Sequence, residues 1–242
     1  MTSSDPFGEL YDRKRYDGTL ARALSVSGES KEFFARGRIE AMREVLSRHG
    51  GADGALPPPH VLDFGCGFGD STPLLRDLLG AGRVVGVDLS ASSIAQGRVA
   101  FQRETNVELL TNAELERDPT AVAAFDLAYA NGVFHHIPLP ARLAAMRMVW
   151  RALKSGGRMF LWENHAGNPG TRFVMARCDF DDDAIPIWPH QARALLEQAG
   201  FDVEQTLYRF LFPRALSFLR PLEKRLLRLP IGAQYVVVAR KR

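Results

Sequence analysis

The sequence contains little cysteine and no long hydrophobic run. Of its 242 residues only Cys66 and Cys178 are cysteine, too few for a disulfide framework or a four-thiolate zinc site. No stretch of about 18 apolar residues is present to cross a bilayer. Residues 1–16 are polar and charged, without the apolar core of a signal peptide. We therefore expect a cytoplasmic protein without integral membrane contact.

The sequence also carries little excess charge. Lys and Arg number 31 against 28 Asp and Glu, a net charge of +3 at pH 7, which is small for a nucleic-acid-binding surface. Hydrophobic residues make up 46% of the chain and charged residues 24%, which allows a sizeable core and excludes global disorder. This length predicts one large domain, or one domain with an appended cap.

Short apolar segments alternate with helical patterns along most of the chain. Because strands joined through helices need crossover connections, the sheet should be mostly parallel and covered by helices on both faces. The predicted strands are residues 60–64, 83–88, 107–111, 125–130, 158–163, 203–208 and 234–239. The predicted helices are residues 31–49, 72–79, 90–102, 140–153 and 189–199.

A turn-rich stretch, residues 50–59 (GGADGALPPP), interrupts this pattern near the N-terminus. We predict a helical cap over residues 1–56 and the sheet domain over residues 57–242. Two insertions, residues 164–188 and 209–232, break the alternation within that domain. The second insertion is basic, amphipathic and divided by three prolines, which favours a pocket cap or a homodimer contact over a membrane-surface helix.

A glycine-rich turn joins the first predicted strand to the next helix. Gly65, Gly67 and Gly69 alternate in the sequence DFGCGFG, and their lack of side chains lets a ligand approach the backbone closely. The second predicted strand ends at Asp88, 19 residues after Gly69, where doubly wound folds place an acid that binds ribose hydroxyls. The pattern therefore predicts a nucleotide site.

The acids beside this turn indicate which nucleotide it suits. A pyrophosphate needs a neutral or positive cradle, yet Asp63 precedes the turn and Asp70 follows it. Each carboxylate would repel a pyrophosphate by about 1 kcal/mol or more. Asp70 also replaces the third glycine of the dinucleotide fingerprint. An adenosine that carries an ammonium and a sulfonium suits the same acids, so S-adenosylmethionine fits the site and NAD does not.

At these positions the sequence resembles the class I S-adenosylmethionine-dependent methyltransferases, in their small-molecule type. Residues 63–69 match the family's first motif and residues 84–90 its second, and residues 125–137 and 153–158 resemble the motifs around the fourth and fifth strands. The resemblance implies an α/β fold with a doubly wound seven-stranded sheet in the order 3-2-1-4-5-7-6. Strand 7 would be antiparallel, and residues 57–242 would form a Rossmann-like domain that binds the cofactor.

The resemblance also implies which residues contact the cofactor. Asp63 would bind the ammonium group, Asp88 both ribose hydroxyls, and Asn131 would contribute its backbone. Asn112 stands where the family commonly has an acid that accepts from the adenine amino group, a bond that an amide oxygen can also accept. Arg38 is the candidate for the methionine carboxylate, against the alternative of a solvated arginine. The full set is Arg38, Asp63, Gly65, Cys66, Gly67, Gly69, Asp88, Leu89, Asn112, Ala113 and Asn131.

Two adjacent histidines follow the fourth predicted strand. A hydroxyl or amine acceptor loses a proton on methylation, and an imidazole suits this task near pH 7. His135 and His136 are therefore the catalytic candidates, although one of them is expected to be structural. Some relatives bind a divalent metal here with a Glu-x-x-Glu-His cluster, but Gly132 replaces the leading carboxylate. We expect no metal.

The acceptor is expected to be a small molecule. The sequence contains neither the Asn/Asp-Pro-Pro-Tyr sequence nor the Pro-Cys pair of enzymes that modify nucleic-acid bases, so no nucleic acid is expected. We favour O-methylation; N- or C-methylation, a nicotinamide oxidoreductase and a non-catalytic cofactor-binding partner subunit remain open. The predicted acceptor-binding residues are Tyr11, Tyr16, Phe34, Glu163 and Arg172.

Overall fold

A computed structural model of the protein describes residues 13–48, 57–178 and 184–242. Its strands are β1 His60–Phe64, β2 Arg83–Asp88, β3 Val107–Thr111, β4 Phe125–Asn131, β5 Leu153–Asn164, β6 Phe201–Arg209 and β7 Gln234–Lys241. They form one sheet in the order β3-β2-β1-β4-β5-β7-β6. β7 runs antiparallel to β5 and β6, and the other neighbours are parallel. The predicted fold class, strand order and direction of the last strand are confirmed.

Strand β5 differs most from its prediction. It begins at Leu153, whereas the sequence pattern placed a turn before residue 158. The pairing explains the difference, because Leu153 pairs with Phe125 and the register then shifts before Leu127 pairs with Arg158. Residues 154–157 thus form an irregular extension of the strand, with Gly156 at a φ of 80°, a conformation that glycine adopts readily.

Helices cover both faces of the sheet. α5, α6 and α8 pack on one face through Leu115, Met146 and Leu196, and α2 and α3 pack on the other through Met42 and Leu75. Burial of these apolar faces is the main stabilising contribution. The helices are α1 Arg13–Leu24, α2 Lys31–Ser47, α3 Thr72–Leu79, α4 Ala91–Ala100, α5 Asn112–Arg117, α6 Leu139–Ala152, α7 Pro169–Met175, α8 Pro189–Ala199 and α9 Glu223–Leu226.

The N-terminal region contributes to the same core. Ile39, Met42 and Val45 of α2 are buried against the sheet, so α2 belongs to the helical layer of the sheet domain. The turn-rich stretch lies mostly outside the described residues, and the boundary at residue 57 stays a prediction. Among the helices of the described ranges, none is both long and apolar enough to cross a bilayer.

Candidate active site

A large cavity opens at the carboxyl ends of β1, β2 and β4. Its volume is about 1130 Å³, and its walls come from α1, α2, the glycine turn, the residues after β4 and residues 210–213. Pockets for one small ligand occupy roughly 300–1,000 Å³. The cavity therefore has room for a nucleotide-sized cofactor and for a second small molecule beside it.

The glycine turn forms one wall of this cavity. Gly65, Gly67 and Gly69 have φ values of 74°, 57° and 81°, which side-chain-bearing residues rarely adopt. A Cβ at Gly65 would lie 2.2 Å from Cγ2 of Val133, whereas a Cβ at Gly67 would meet no heavy atom within 4 Å. Gly67 lines the cavity, so a ligand can approach the backbone at this residue without meeting a side chain.

Asp88, at the end of β2, is held in place by backbone amides. Its Oδ2 accepts from the N–H of Gly67 at 2.8 Å, and its Oδ1 accepts from the N–H of Ser90 at 2.9 Å. A carboxylate oxygen can accept more than one hydrogen bond. Asp88 and the exposed Leu89 both line the cavity, where they can meet the two hydroxyls and the ring of a ribose.

Asp63 is a buried carboxyl group in the cavity floor. It is 2% exposed, and its Oδ2 accepts from the hydroxyl of Thr72 at 2.8 Å. Burial raises the pKa of Asp63 to about 7; the charge of Asp88 also raises it, and the Thr72 hydrogen bond and Arg38 lower it. A buried carboxylate is stabilised when a cation binds beside it, so Asp63 suits an ammonium group.

Arg38 reaches the same region from α2. It is buried, its Nε donates to the Tyr129 hydroxyl at 2.9 Å, and its Nη1 donates to Oε1 of Gln234 at 3.1 Å. The alternative of a solvated arginine is wrong for this residue. Because Arg38 lines the cavity, its guanidinium can meet an anionic group of a ligand. Tyr129 and Gln234 also line the cavity but carry no sequence signal for it, since Tyr129 has no predicted role within residues 125–137 and Gln234 lies outside the recognised motifs.

Asn112, at the start of α5, carries a buried acceptor that lacks a donor. Its Oδ1 has no hydrogen-bond partner among the described atoms, and the residue lines the cavity. Leaving a buried acceptor unpaired costs about 1–3 kcal/mol, and a ligand amino group would satisfy it. Asn131, at the end of β4, and the half-buried Cys66 also line the cavity, whereas Ala113 does not.

Asp70 is a less effective negative charge than the sequence predicts, because it forms two ion pairs. Asp70 accepts from Nη2 of Arg13 at 2.8 Å and also pairs with Lys31. Two cations from α1 and α2 therefore offset its charge. A pyrophosphate is therefore disfavoured mainly by the carboxylate of Asp63 and not by two equivalent carboxylates.

His135 and His136 both line the cavity, with ring centroids 4.1 Å apart. His135 is buried, and its Nδ1 lies 2.6 Å from Oε2 of Glu163. The other oxygen of Glu163 accepts from the N–H of Phe134 at 2.8 Å. The carboxylate thus holds the His135 ring in one orientation, while the half-buried His136 is the more accessible of the two imidazoles.

The predicted acceptor-binding residues are only partly brought together. Phe34 lines the cavity with Phe33 and Phe210, and its ring centroid is 5.4 Å from that of Phe33 and 4.9 Å from that of Phe210. Glu163 lies behind His135 and Arg172 is exposed on α7, and neither lines the cavity. Tyr11 lies outside the described residues, as does the side chain of Tyr16.

Within the ranges that the structure describes, no group of three or more His, Cys, Asp or Glu side chains is arranged to hold a metal ion. His165, which follows the end of β5, is buried, and its Nδ1 lies 3.0 Å from the carbonyl oxygen of Gly232.

The fold is that of the class I S-adenosylmethionine-dependent methyltransferases. A family model described as a methyltransferase domain matches residues 61–157, which include the glycine turn, Asp88, Asn112 and both histidines. These residues match a methyltransferase domain, and the resemblance to the class I S-adenosylmethionine-dependent methyltransferases is confirmed, whereas the small-molecule type stays a prediction.

Known proteins with the same domain differ in their acceptors. Ribosomal RNA small subunit methyltransferase C of Ectopseudomonas mendocina is 30% identical over 164 residues, 66% of this chain and 46% of that protein. Trans-aconitate 2-methyltransferase of an Azoarcus species is 38% identical over 124 residues, 51% of this chain and 45% of that protein. The chain thus spans about half the length of each relative. One of these relatives is named for ribosomal RNA and the other for trans-aconitate.

Solved structures share the fold over nearly the whole chain. A TehB-like S-adenosylmethionine-dependent methyltransferase from Corynebacterium glutamicum superposes with a TM-score of 0.60 at 19% identity, covering 97% of this chain and 98% of that one. The similarity therefore extends to the helices and strands outside residues 61–157.

Proposed function

We propose that the protein transfers the methyl group of S-adenosylmethionine to a hydroxyl group of a small molecule. The observation that carries the proposal is the pairing, in one cavity, of the buried Asp63 carboxyl with the unpartnered Oδ1 of Asn112. Asp63 favours a cationic group and Asn112 favours a hydrogen-bond donor. The ammonium and the adenine amino group of this cofactor supply both.

The other cofactor contacts follow from the same cavity. Arg38 binds the carboxylate of the methionine moiety, Asp88 accepts from the ribose hydroxyls, and Gly67 allows the close approach of the chain that joins them. The bound cofactor supplies an electrophilic methyl group on a positively charged sulfur. The protein's main task is then to align the acceptor oxygen behind that methyl group, which can contribute about 7–11 kcal/mol to lowering the barrier.

The histidine pair holds the proton that leaves the acceptor. Both imidazoles line the cavity, and a neutral imidazole is an effective base near pH 7. Glu163 contacts Nδ1 of His135, so we assign it to orienting that ring rather than to binding the acceptor. This arrangement favours O-methylation, since an amine that arrives neutral needs less help from a base.

The acceptor is a small molecule rather than a nucleic acid. The cavity that holds the cofactor residues is also lined by Phe33, Phe34 and Phe210, whose rings pack against one another. A site for a nucleic acid would combine such rings with a basic stripe that follows the phosphates. The cations Arg13 and Lys31 at this cavity are paired with Asp70 instead.

Calorimetric titration with S-adenosylhomocysteine, the demethylated product, tests the cofactor site. We expect Asp88→Ala to weaken binding at least about 10-fold, because a charged hydrogen-bond partner contributes roughly 1.5–3 kcal/mol. Asp77→Ala, which removes an exposed acid of α3, is the matched control and should bind as the wild type does. Unchanged binding in Asp88→Ala would remove the assignment.

A further inference from the structure

Residues 214–231, between β6 and β7, form an exposed surface that is both apolar and basic. This 214–231 surface comprises the 3-10 helix Arg214–Leu222, helix α9 and the turn that follows it. Its large apolar side chains are 40% to 73% exposed, Phe218 the most, and are Leu216, Phe218, Leu222, Leu229 and Ile231.

The inner side of this segment is firmly attached to the protein. Leu227 is buried in the core cluster that α2 and α3 share, Oε1 of Glu223 accepts from the N–H of Leu211 at 2.7 Å, and Arg220 pairs with Glu29 at 2.6 Å. These contacts satisfy the inner face of the segment. The exposed apolar side chains are therefore held outward by a defined backbone.

The outer side carries a concentration of positive charge. Arg214, Lys224, Arg225 and Arg228 are exposed, and within the described residues none of them has an acidic side chain at ion-pair distance. The one acid of the segment, Glu223, is turned inward toward backbone amides. The surface thus presents four cations among five apolar side chains, a pattern typical of segments that lie in the interface of an anionic membrane.

We propose that the 214–231 surface docks the protein on an anionic lipid bilayer. The apolar side chains enter the headgroup region, and the four cations lie beside lipid phosphates. This differs from the homodimer contact that the sequence favoured for the segment, because a two-fold interface between two copies of the chain would bring both sets of cations together. A nucleic acid would meet the cations but leave Phe218 and its apolar neighbours in water.

The 214–231 surface directly follows a segment of the cavity wall in the sequence. Residues 210–213 line the cavity, as do Val26 and Ser27. Gly28, which follows Ser27, lies against Arg214: a Cβ added to Gly28 would be 2.9 Å from Cβ of Arg214. Docking would hold this side of the cavity close to the bilayer. An amphiphilic acceptor would then reach the phenylalanine side chains of the cavity directly from the lipid. This consequence rests on the proposed function, whereas the docking itself is independent of that function.

Co-sedimentation with lipid vesicles tests the proposal. Wild-type protein should bind vesicles of phosphatidylglycerol mixed with phosphatidylcholine and not vesicles of phosphatidylcholine alone. Arg225→Glu with Arg228→Glu should lower the vesicle affinity at least about 10-fold, since each basic residue near the surface contributes severalfold. Phe218→Ser should lower it severalfold. Arg103→Glu with Arg117→Glu makes the same charge change at exposed residues beyond α4 and in α5 and should bind as the wild type does.

Each other outcome overturns docking on lipid. If wild-type protein stays in the supernatant with the phosphatidylglycerol vesicles, the surface does not dock on lipid, and an acidic protein becomes the alternative partner. Equal losses in the two double variants would mean that net charge alone governs binding, and unchanged binding in Phe218→Ser would mean that nothing enters the bilayer. S-adenosylhomocysteine titrations on the same variants should match the wild type, which keeps this test separate from that of the proposed function.

Discussion

Oε2 of Glu163 lies 2.6 Å from Nδ1 of His135, and both side chains are buried. The pairing follows from the sheet, because β4 and β5 are parallel neighbours with Asn131 beside Trp162. The loop after β4 therefore lies next to the end of β5. A carboxylate in this position fixes the tautomer and orientation of an imidazole and stabilises its protonated form.

The histidine pair should divide into one base and one supporting residue. We expect His135→Ala or His136→Ala to lower kcat by roughly 100-fold or more, the typical contribution of a general base, with S-adenosylhomocysteine affinity within about twofold of the wild type. His190→Ala, at an exposed position of α8, is the control. If kcat survives in both variants, alignment alone drives the reaction.

Glu163 is expected to act through His135. Glu163→Gln keeps an oxygen for the Phe134 amide but removes the charge beside the ring, so kcat should fall roughly 10-fold or more with cofactor affinity unchanged. In a His135→Ala background the same substitution should cost little, because the two effects share one contact. Additive losses in this double-mutant cycle would mean that Glu163 only stabilises the fold.

Much of this architecture could be predicted from sequence because its signals are local. The glycine turn, the strand that ends in Asp88 and the alternation of helices and strands all lie within short windows. The pairing of Asp70 with Arg13 could not be predicted, because the ion pair joins residues 57 positions apart. Glu163 could likewise be selected from the sequence as a functional acid. Only the register of β4 and β5 shows that it contacts His135 and does not face the cavity.

Asp63 should lower the stability of the cofactor-free protein. Its folded pKa of about 7 lies above the ordinary value of 3.8, so the folded state binds the proton more tightly, and stability falls as pH rises between these values. Asp63→Asn should therefore raise the free energy of unfolding at pH 8 by up to about 4 kcal/mol, with a smaller gain at pH 5. Urea unfolding at pH 8 and at pH 5 measures the two free energies, with Asp77→Asn as the control. An equal gain in stability at the two pH values would contradict the explanation.

The same group should make cofactor affinity depend on pH. An ammonium binds the ionised carboxylate, and Asp63, with a pKa raised to about 7, is increasingly protonated below that value. Between pH 7 and 5.5 the affinity for S-adenosylhomocysteine should fall about 16-fold in total, with a slope that approaches about 10-fold per pH unit at the acid end, while the ligand ammonium stays charged. Calorimetry across this range checks the slope. Asp63→Asn should bind S-adenosylhomocysteine weakly, with an affinity that does not change over this pH range. A wild-type affinity that does not depend on pH would mean that the ammonium group binds elsewhere.

Asn112 should recognise the exocyclic amino group of adenine. Its buried Oδ1 lacks a donor among the described atoms, so a ligand that supplies one gains the full benefit of that bond, about 1–3 kcal/mol or roughly 5- to 150-fold in affinity. S-inosylhomocysteine, which has a carbonyl in place of the amino group, should bind the wild type more weakly by this factor. Asn112→Asp should keep the preference and Asn112→Leu should lose it, because only the first retains an acceptor oxygen. If Asn112→Leu still discriminates between the two ligands, the adenine ring lies in another part of the cavity.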